Sequence, residues 1–300
     1  MKNFLTLDAL TKKYRKKTAL NNISISVPQG ISLLVGPNGS GKSTILSVIE
    51  GLTNPTSGTA HIYDYDCTQD NYRILSSGTF LPERPAVFGS GSVSEFLYWY
   101  AKFKGTTSEK IMDLVYLFDF EHQLNSSFRS LSMGETEILQ IIVALSTDAE
   151  FFILDEPNSN LDAQRRALLA DIITRINRQN NSDFLITSHI LDELLPVSNS
   201  IIKIRKGEIE NIIKTKDAIY YGSEELQVYT NDPGLIFQEL KSFITNHVLI
   251  EIKGQIVIVK GKNVRYLIRE LSDSALRFVW LVRITPNIDD IDQKSKGEGK

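Results

Sequence analysis

Apolar and polar positions alternate from Phe4 to Val27 on either side of a basic stretch (Lys12, Lys13, Arg15, Lys16, Lys17), the pattern of two antiparallel strands joined by a tight turn. Ile31 to Val35 is a short buried-strand run. It leads directly into a glycine-rich segment and then into Ser43 to Ile49, whose spacing suits a helix. Phe151 to Leu154 and Phe184 to Thr187 are two more buried-strand candidates, separated by a helical stretch from Ala163 to Arg178. Strands alternating with helices predict a mainly parallel sheet covered on both faces. Val93 to Leu145 carries Leu, Phe, Tyr and Ile at helical spacing and predicts an inserted helical unit, about 84–146.

The pattern changes after Gly207 and a polar stretch to Glu225. Leu226 to Thr230 predicts a strand, and Asp232-Pro233 opens a helix with Ile236, Leu240, Phe243 and Ile244 on one face. Val248 to Lys253 and Gln255 to Lys260 alternate around Gly254 as a hairpin; Val264, Leu267, Ile268 and Leu271 mark a second helix, and Arg277 to Ile284 a last strand. The order β-α-β-β-α-β is that of a ferredoxin-like domain. The expected division is 1–215 for the first domain, 224–286 for this one and 287–300 for a polar tail. That agrees with the length, since 300 residues exceed one unit of about 150.

Composition narrows the function. Hydrophobic residues make up 42% and charged residues 23%, enough for packed cores, and the net charge of −3 gives no electrostatic reason to hold nucleic acid. The lone Cys67 cannot form an internal disulfide and has no metal-type spacing around it, which fits a reducing compartment. Met1 to Lys17 lacks the apolar stretch of a secretory signal. The longest apolar runs, Phe96 to Ala101 and Ile138 to Leu145, fall far short of the roughly 20 residues that cross a bilayer. A membrane role would therefore need a spanning partner.

Two segments carry chemistry. Gly36, Pro37, Asn38, Gly39, Ser40, Gly41, Lys42, Ser43 and Thr44 satisfy the phosphate-loop pattern between a predicted strand and a predicted helix. Glycines let backbone N–H groups converge on a phosphate, and the helix start adds positive potential. Lys42 supplies mobile positive charge to the β- and γ-phosphates, and the Ser43 hydroxyl suits Mg²⁺. Phe151-Phe152-Ile153-Leu154-Asp155-Glu156 is an apolar strand ending in two acids. Asp155 can hold Mg²⁺ through water, and Glu156 can take a proton from a water attacking the γ-phosphate.

With these motifs in order, residues 4 to 212 resemble the ATP-binding subunits of ABC transporters. The resemblance assigns Leu131-Ser132-Met133-Gly134-Glu135 as the signature loop, with phosphate contact from Ser132 and Gly134. It assigns Asn158 to Asp162 as the loop that touches a dimer partner, with Asp162 at the nucleotide, and His189 as the switch histidine that holds the γ-phosphate and the attacking water. Tyr14 takes the place of the aromatic that stacks on adenine. The implied fold is α/β, a phosphate-loop cassette with an antiparallel β-subdomain and a helical subdomain. The implied ligands are ATP and Mg²⁺, and the implied partners are a membrane permease and a second ATPase subunit, as a homodimer, at the cytoplasmic face of the membrane.

Two departures stand out. Leu81-Pro82-Glu83 occupies the place of a common Gln, so Glu83 becomes the metal- or water-facing oxygen there. Met133 replaces a small signature residue, and Thr136, Glu137 and Ile138 follow in place of the usual basic residues. The aromatic-rich segment with Phe88, Phe96, Tyr98, Trp99 and Tyr100 is expected to leave one or two rings at the permease. The Leu-Pro-Glu form and short C-terminal domain resemble exporter subunits for drugs, peptides or antibiotics. An importer ATPase with a ligand-regulated C-terminal domain and a soluble ABC protein acting on ribosomes or DNA are the alternatives.

Overall fold

The computed structural model describes residues 3–15, 17–83, 91–215, 223–241, 249–261, 271–272, 275, 277 and 279–287. They form two compact units, Met1–Ile212 and Ile213–Lys300.

The first unit begins with the expected hairpin. β1 (Asn3–Tyr14) and β2 (Lys17–Pro28) pair antiparallel, and β4 (Ser57–Ile62) and β5 (Tyr65–Asp66) complete a sheet in the order β2-β1-β4-β5. A second sheet of six strands runs β10-β9-β3-β8-β7-β6, built from β3 (Ile31–Val35), β6 (Gly78–Leu81), β7 (Phe151–Asp155), β8 (Asp183–Thr187), β9 (Ser200–Arg205) and β10 (Glu208–Lys214). β3 pairs in parallel with both β8 and β9, and β7 with both β6 and β8. All five residues of β3 and of β8 are buried, as a parallel strand covered on both faces requires. The helices are α1 (Lys42–Ile49), α2 (Asn71–Ser77), α3 (Val93–Lys104), α4 (Ser108–Leu117), α5 (Met133–Leu145) and α6 (Ala163–Asn180).

The two sheets share a core. Phe151 of β7 sits among Phe4 of β1 (5.8 Å between ring centroids), Tyr63 (6.2 Å) and Phe80 of β6 (5.8 Å), and all of these belong to or pack on one buried cluster with Ile45 and Ile49 of α1. Burying such a side chain is worth about 1.5–3 kcal/mol. This cluster fixes α1, and so the loop before it, against the strand that carries the two acids. α3 to α5 form the helical segment, where Tyr98, Trp99 and Phe103 stand exposed on α3. Phe88 lies outside the described residues. Among the described residues no helix is long and apolar enough to cross a membrane.

In the second unit β11 (Ser223–Thr230), β12 (Leu249–Lys253), β13 (Ile256–Gly261) and β14 (Val279–Asn287) form an antiparallel sheet in the order β12-β13-β11-β14. α7 (Pro233–Lys241) covers it, with Ile236 and Leu240 buried against Leu226, Val228, Val257 and Val259. Most of the expected second helix lies outside the described residues, though its Leu271 joins the buried cluster; β14 takes in Asn287, the first residue of the expected tail, and 288–300 lie outside, so the ferredoxin-like reading rests on these strands and α7.

Candidate functional site

β3 ends at a loop in which Gly36 and Gly41 leave no room for a side chain. A Cβ on Gly36 would lie 2.2 Å from the Ile204 carbonyl oxygen, and Gly41, at φ 117°, adopts a left-handed conformation at the start of α1. Gly41 offers no side-chain cap, which leaves the first N–H groups of α1 open to an outside acceptor. The Ser40 hydroxyl oxygen is buried with no hydrogen-bond partner. The Lys42 ammonium donates to the Gly36 carbonyl at 2.8 Å and stands 3.9 Å from Glu156 Oε1. It spans the loop rather than pointing into solvent, and is free to exchange a backbone acceptor for a stronger anion.

The acids come from the end of β7. Thr187 of the neighbouring β8 donates its hydroxyl to Asp155 Oδ1. Burial pushes the Asp155 carboxyl above the usual carboxylate range, partly offset by the Thr187 hydrogen bond, and the charges of Glu83 and Glu156 add to the rise. A positive charge placed there would reverse that cost. Glu156 takes φ 53°, unusual for a side-chain-bearing residue, and its N–H bonds Thr187 through both carbonyl oxygen (3.1 Å) and hydroxyl (2.9 Å). This kink turns its carboxylate back into the site. There Oε2 accepts from the His189 backbone N–H at 3.1 Å and meets the ring Nδ1 at 2.6 Å, while the histidine side chain stays 61% exposed.

These groups surround one cavity of about 790 Å³. Gly36, Pro37, Asn38, Gly39, Gly41, Lys42, Ser43 and Thr44 line it, as do Glu83, Asp155, Glu156 and His189. Sequence reasoning missed Lys17, Thr18, Ala19, Ser159 and Lys206, which also line it. A backbone bond from the Gly207 N–H to the Ser40 carbonyl at 2.7 Å seats the Lys206–Gly207 turn against the loop, a juxtaposition no local motif announces.

Five expected residues are not in the lining, Ser40 among them, which is buried. Tyr14 is outside the lining: it stands opposite Lys17 at the end of the hairpin, half exposed, with the Lys12 ammonium 4.9 Å from its ring centroid. The β2 side of the turn, not the β1 side, faces the cavity. Ser132 and Gly134 also lie outside it; Ser132 caps α5, accepting from Glu135 N at 3.3 Å and donating to its carboxylate at 2.6 Å. Asp162 is engaged as the cap of α6, accepting from Arg165 N at 2.9 Å. Its carboxylate serves that helix rather than the cavity of its own subunit.

Among the described residues no cluster of three or more His, Cys, Asp and Glu side chains could hold a metal by itself. The Ser43 hydroxyl and the Asp155 carboxylate fit a Mg²⁺ ion that takes its remaining ligands from phosphate and water. The open α1 start fits a polyphosphate.

Residues 20–159 match the family described as ABC transporter. Similar proteins include the phospholipid-transporting ATPase ABCA3 of Homo sapiens, 30% identical over 78% of this chain, and the Fe(3+) ions import ATP-binding protein FbpC of Escherichia coli O157:H7, 28% identical over 72% of this chain and 63% of its own length. The chain spans only 14% of the length of the human relative. Among solved structures, the dimeric post-hydrolysis state of the cassette MJ0796 bound to ADP and Pi matches 70% of this chain and 98% of its own, at 21% identity and a TM-score of 0.63. That likeness is one of fold.

Proposed function

The chain carries an ATP-binding domain of the ABC transporter family, and from that premise we propose that it is the ATP-hydrolysing subunit of a membrane transporter, acting as a head-to-tail pair of identical chains with a separate permease. The observation that carries the reading is the convergence of Lys42, Asp155, Glu156 and His189 on a single cavity behind a glycine loop.

The loop 36–44 and the start of α1 bind the phosphates of ATP through backbone N–H groups, with Lys42 moving from Gly36 O to a phosphate oxygen. Ser43 and Asp155 would hold Mg²⁺, which supplies charge neutralisation on the transferred phosphoryl group. Glu83 stands at the same end and orients water or metal. Glu156 takes the proton of the attacking water. His189, 2.6 Å from that carboxylate, fixes its direction and can turn its other ring nitrogen to the γ-phosphate.

Ser132 and Gly134 do not line this cavity and stand at the capped start of α5. They and Asp162 serve the site of the partner subunit, so each nucleotide lies between two chains. Tyr14 could reach the nucleoside end only from the edge of the hairpin, and Lys17, Thr18 and Ala19 take the nearer place. The exposed rings of Tyr98, Trp99 and Phe103 on α3 suit the permease, at the cytoplasmic face of the membrane.

Export is the proposed direction, supported by the Leu81-Pro82-Glu83 form and by the similarity to a phospholipid-transporting ATPase. Mg²⁺-dependent ATP hydrolysis by the purified chain, lost in Lys42→Ala, tests the enzyme. Inverted vesicles containing the chain and its permease test the direction. ATP-driven accumulation inside them supports export; accumulation only in right-side-out vesicles supplied with a binding protein supports the importer reading suggested by FbpC.

A further inference from the structure

Glu137 is a carboxylate in the wrong place for a solvated charge. It lies in the second turn of α5, 7% exposed, followed by the buried Ile138, Leu139, Gln140 and Ile141, and among the described residues no cation pairs with it. A buried carboxylate is costly unless its oxygens receive hydrogen bonds. Both oxygens do: Asn160 Nδ2 donates to Oε2 at 2.7 Å and Ser159 Oγ to Oε1 at 3.4 Å.

Those donors belong to the loop after the two acids. Its start is held by Asn158, whose amide donates to the Ile190 carbonyl at 2.8 Å and accepts from Ser188 Oγ at 2.8 Å, on either side of His189. Its end is held by Asp162 at the start of α6. Its middle, including the cavity-lining Ser159, is held by Glu137. At the other side Glu137 is one residue from Thr136, whose hydroxyl donates to Ser132 O at 2.9 Å, and two residues from Glu135, which closes the capping box on Ser132.

We propose that Glu137 is a positioning residue that ties the loop 157–162 to the start of α5, so that the cavity wall at Ser159 and the Ser132 loop move as one body. The tie itself is independent of the function proposed above; its consequence for turnover rests on that reading. A carboxylate suits the task because it accepts from both donors at once, which a single amide oxygen does less well. The link joins the two ends of a subunit that face different nucleotides. Occupancy at the Lys42 loop is thereby transmitted, through Ser159 and Glu137, to the Ser132 loop offered to the partner.

The test uses the full chain and three variants: Glu137→Ala, Asn160→Asp, and Glu137→Gln combined with Asn160→Asp, in which amide and carboxylate exchange sides. Hydrogen exchange of the nucleotide-free protein reads the tie, and kcat and KM for ATP read its consequence. A hydrogen bond to a buried charge shifts the tethered population by roughly tenfold or more. Exchange at residues 157–162 should rise by about that factor in Glu137→Ala and in Asn160→Asp, with β7 and β8 unchanged, and kcat should fall about tenfold with KM within about twofold. The double variant should recover most of both. Unchanged exchange in the single variants, loosened exchange with unchanged kcat, or a double variant no better than Asn160→Asp would each overturn the proposal. Asn160 is exposed, so Asn160→Asp decides the matter if Glu137→Ala fails to fold. A wild-type chain without ATP turnover would refute the proposed function, and the exchange measurements would still decide the tie.

Discussion

Replacing Glu156 by Gln removes one charge and one proton acceptor while keeping the side chain's size. The carboxylate stands 3.9 Å from the Lys42 ammonium and 2.6 Å from His189 Nδ1. At an effective dielectric constant near 20, two unit charges at the lysine distance attract by about 4 kcal/mol before solvation is counted. The variant therefore frees Lys42 for phosphate, and nucleotide affinity should hold or rise. Loss of a general base costs roughly 10²–10⁴ in rate, which corresponds to about 3–5 kcal/mol of barrier. The assay is phosphate release under saturating Mg²⁺ and ATP, paired with equilibrium binding of a fluorescent ATP analogue and with size measurement in ATP, where the closed dimer should persist. Turnover within about twofold of wild type would refute the assignment of Glu156 as base. A parallel loss of binding would instead mean that the substitution had damaged the phosphate loop.

Phe151→Ala should cost about 3–5 kcal/mol of unfolding free energy, measured in denaturant, because the ring is fully enclosed by Phe4, Tyr63 and Phe80; a loss under about 1 kcal/mol would contradict the shared core of the two sheets. Burial pushes the Cys67 thiol up to about 12, so a disulfide reagent at pH 8 should leave it untouched in the native chain and titrate one thiol in denaturant. Rapid labelling of the native protein would overturn that placement. A chain ending at residue 222 should keep the whole six-stranded sheet and melt cooperatively, since the first unit closes its own core; insoluble product would show that the two units depend on one another to fold.

Local patterns made much of the first unit legible. The strand, glycine loop and helix from Ile31 to Ile49 are contiguous, so their geometry follows from neighbouring residues, and the two acids end a short apolar run that forms a buried strand. β4 and β6 escaped notice. Ser57–Ile62 mixes Ser, Gly, Thr and His with few apolar residues, and Gly78–Leu81 is four residues long, so tertiary pairing rather than local preference makes them strands. The same cause hid Lys206, which reaches the cavity through a turn far along the chain. Tyr14 was placed by its order in the chain, but order does not determine which side of a hairpin turn faces inward. Asp162 carries an N-cap pattern as plain as any motif, and that local role is the one its carboxylate fills.

The central claim, that a nucleotide site is built from the Lys42 loop of one chain and the Ser132 loop of another identical chain, is tested most directly by mixing two inactive proteins. Lys42→Ala lacks a working phosphate loop and Ser132→Arg lacks a working signature loop, so neither should hydrolyse ATP alone. In a mixed head-to-tail dimer both defects fall in one site and leave the other intact. Measured at high protein concentration, with and without the permease, the mixture should regain part of the wild-type turnover. Mixed dimers that form but remain inactive would contradict the claim.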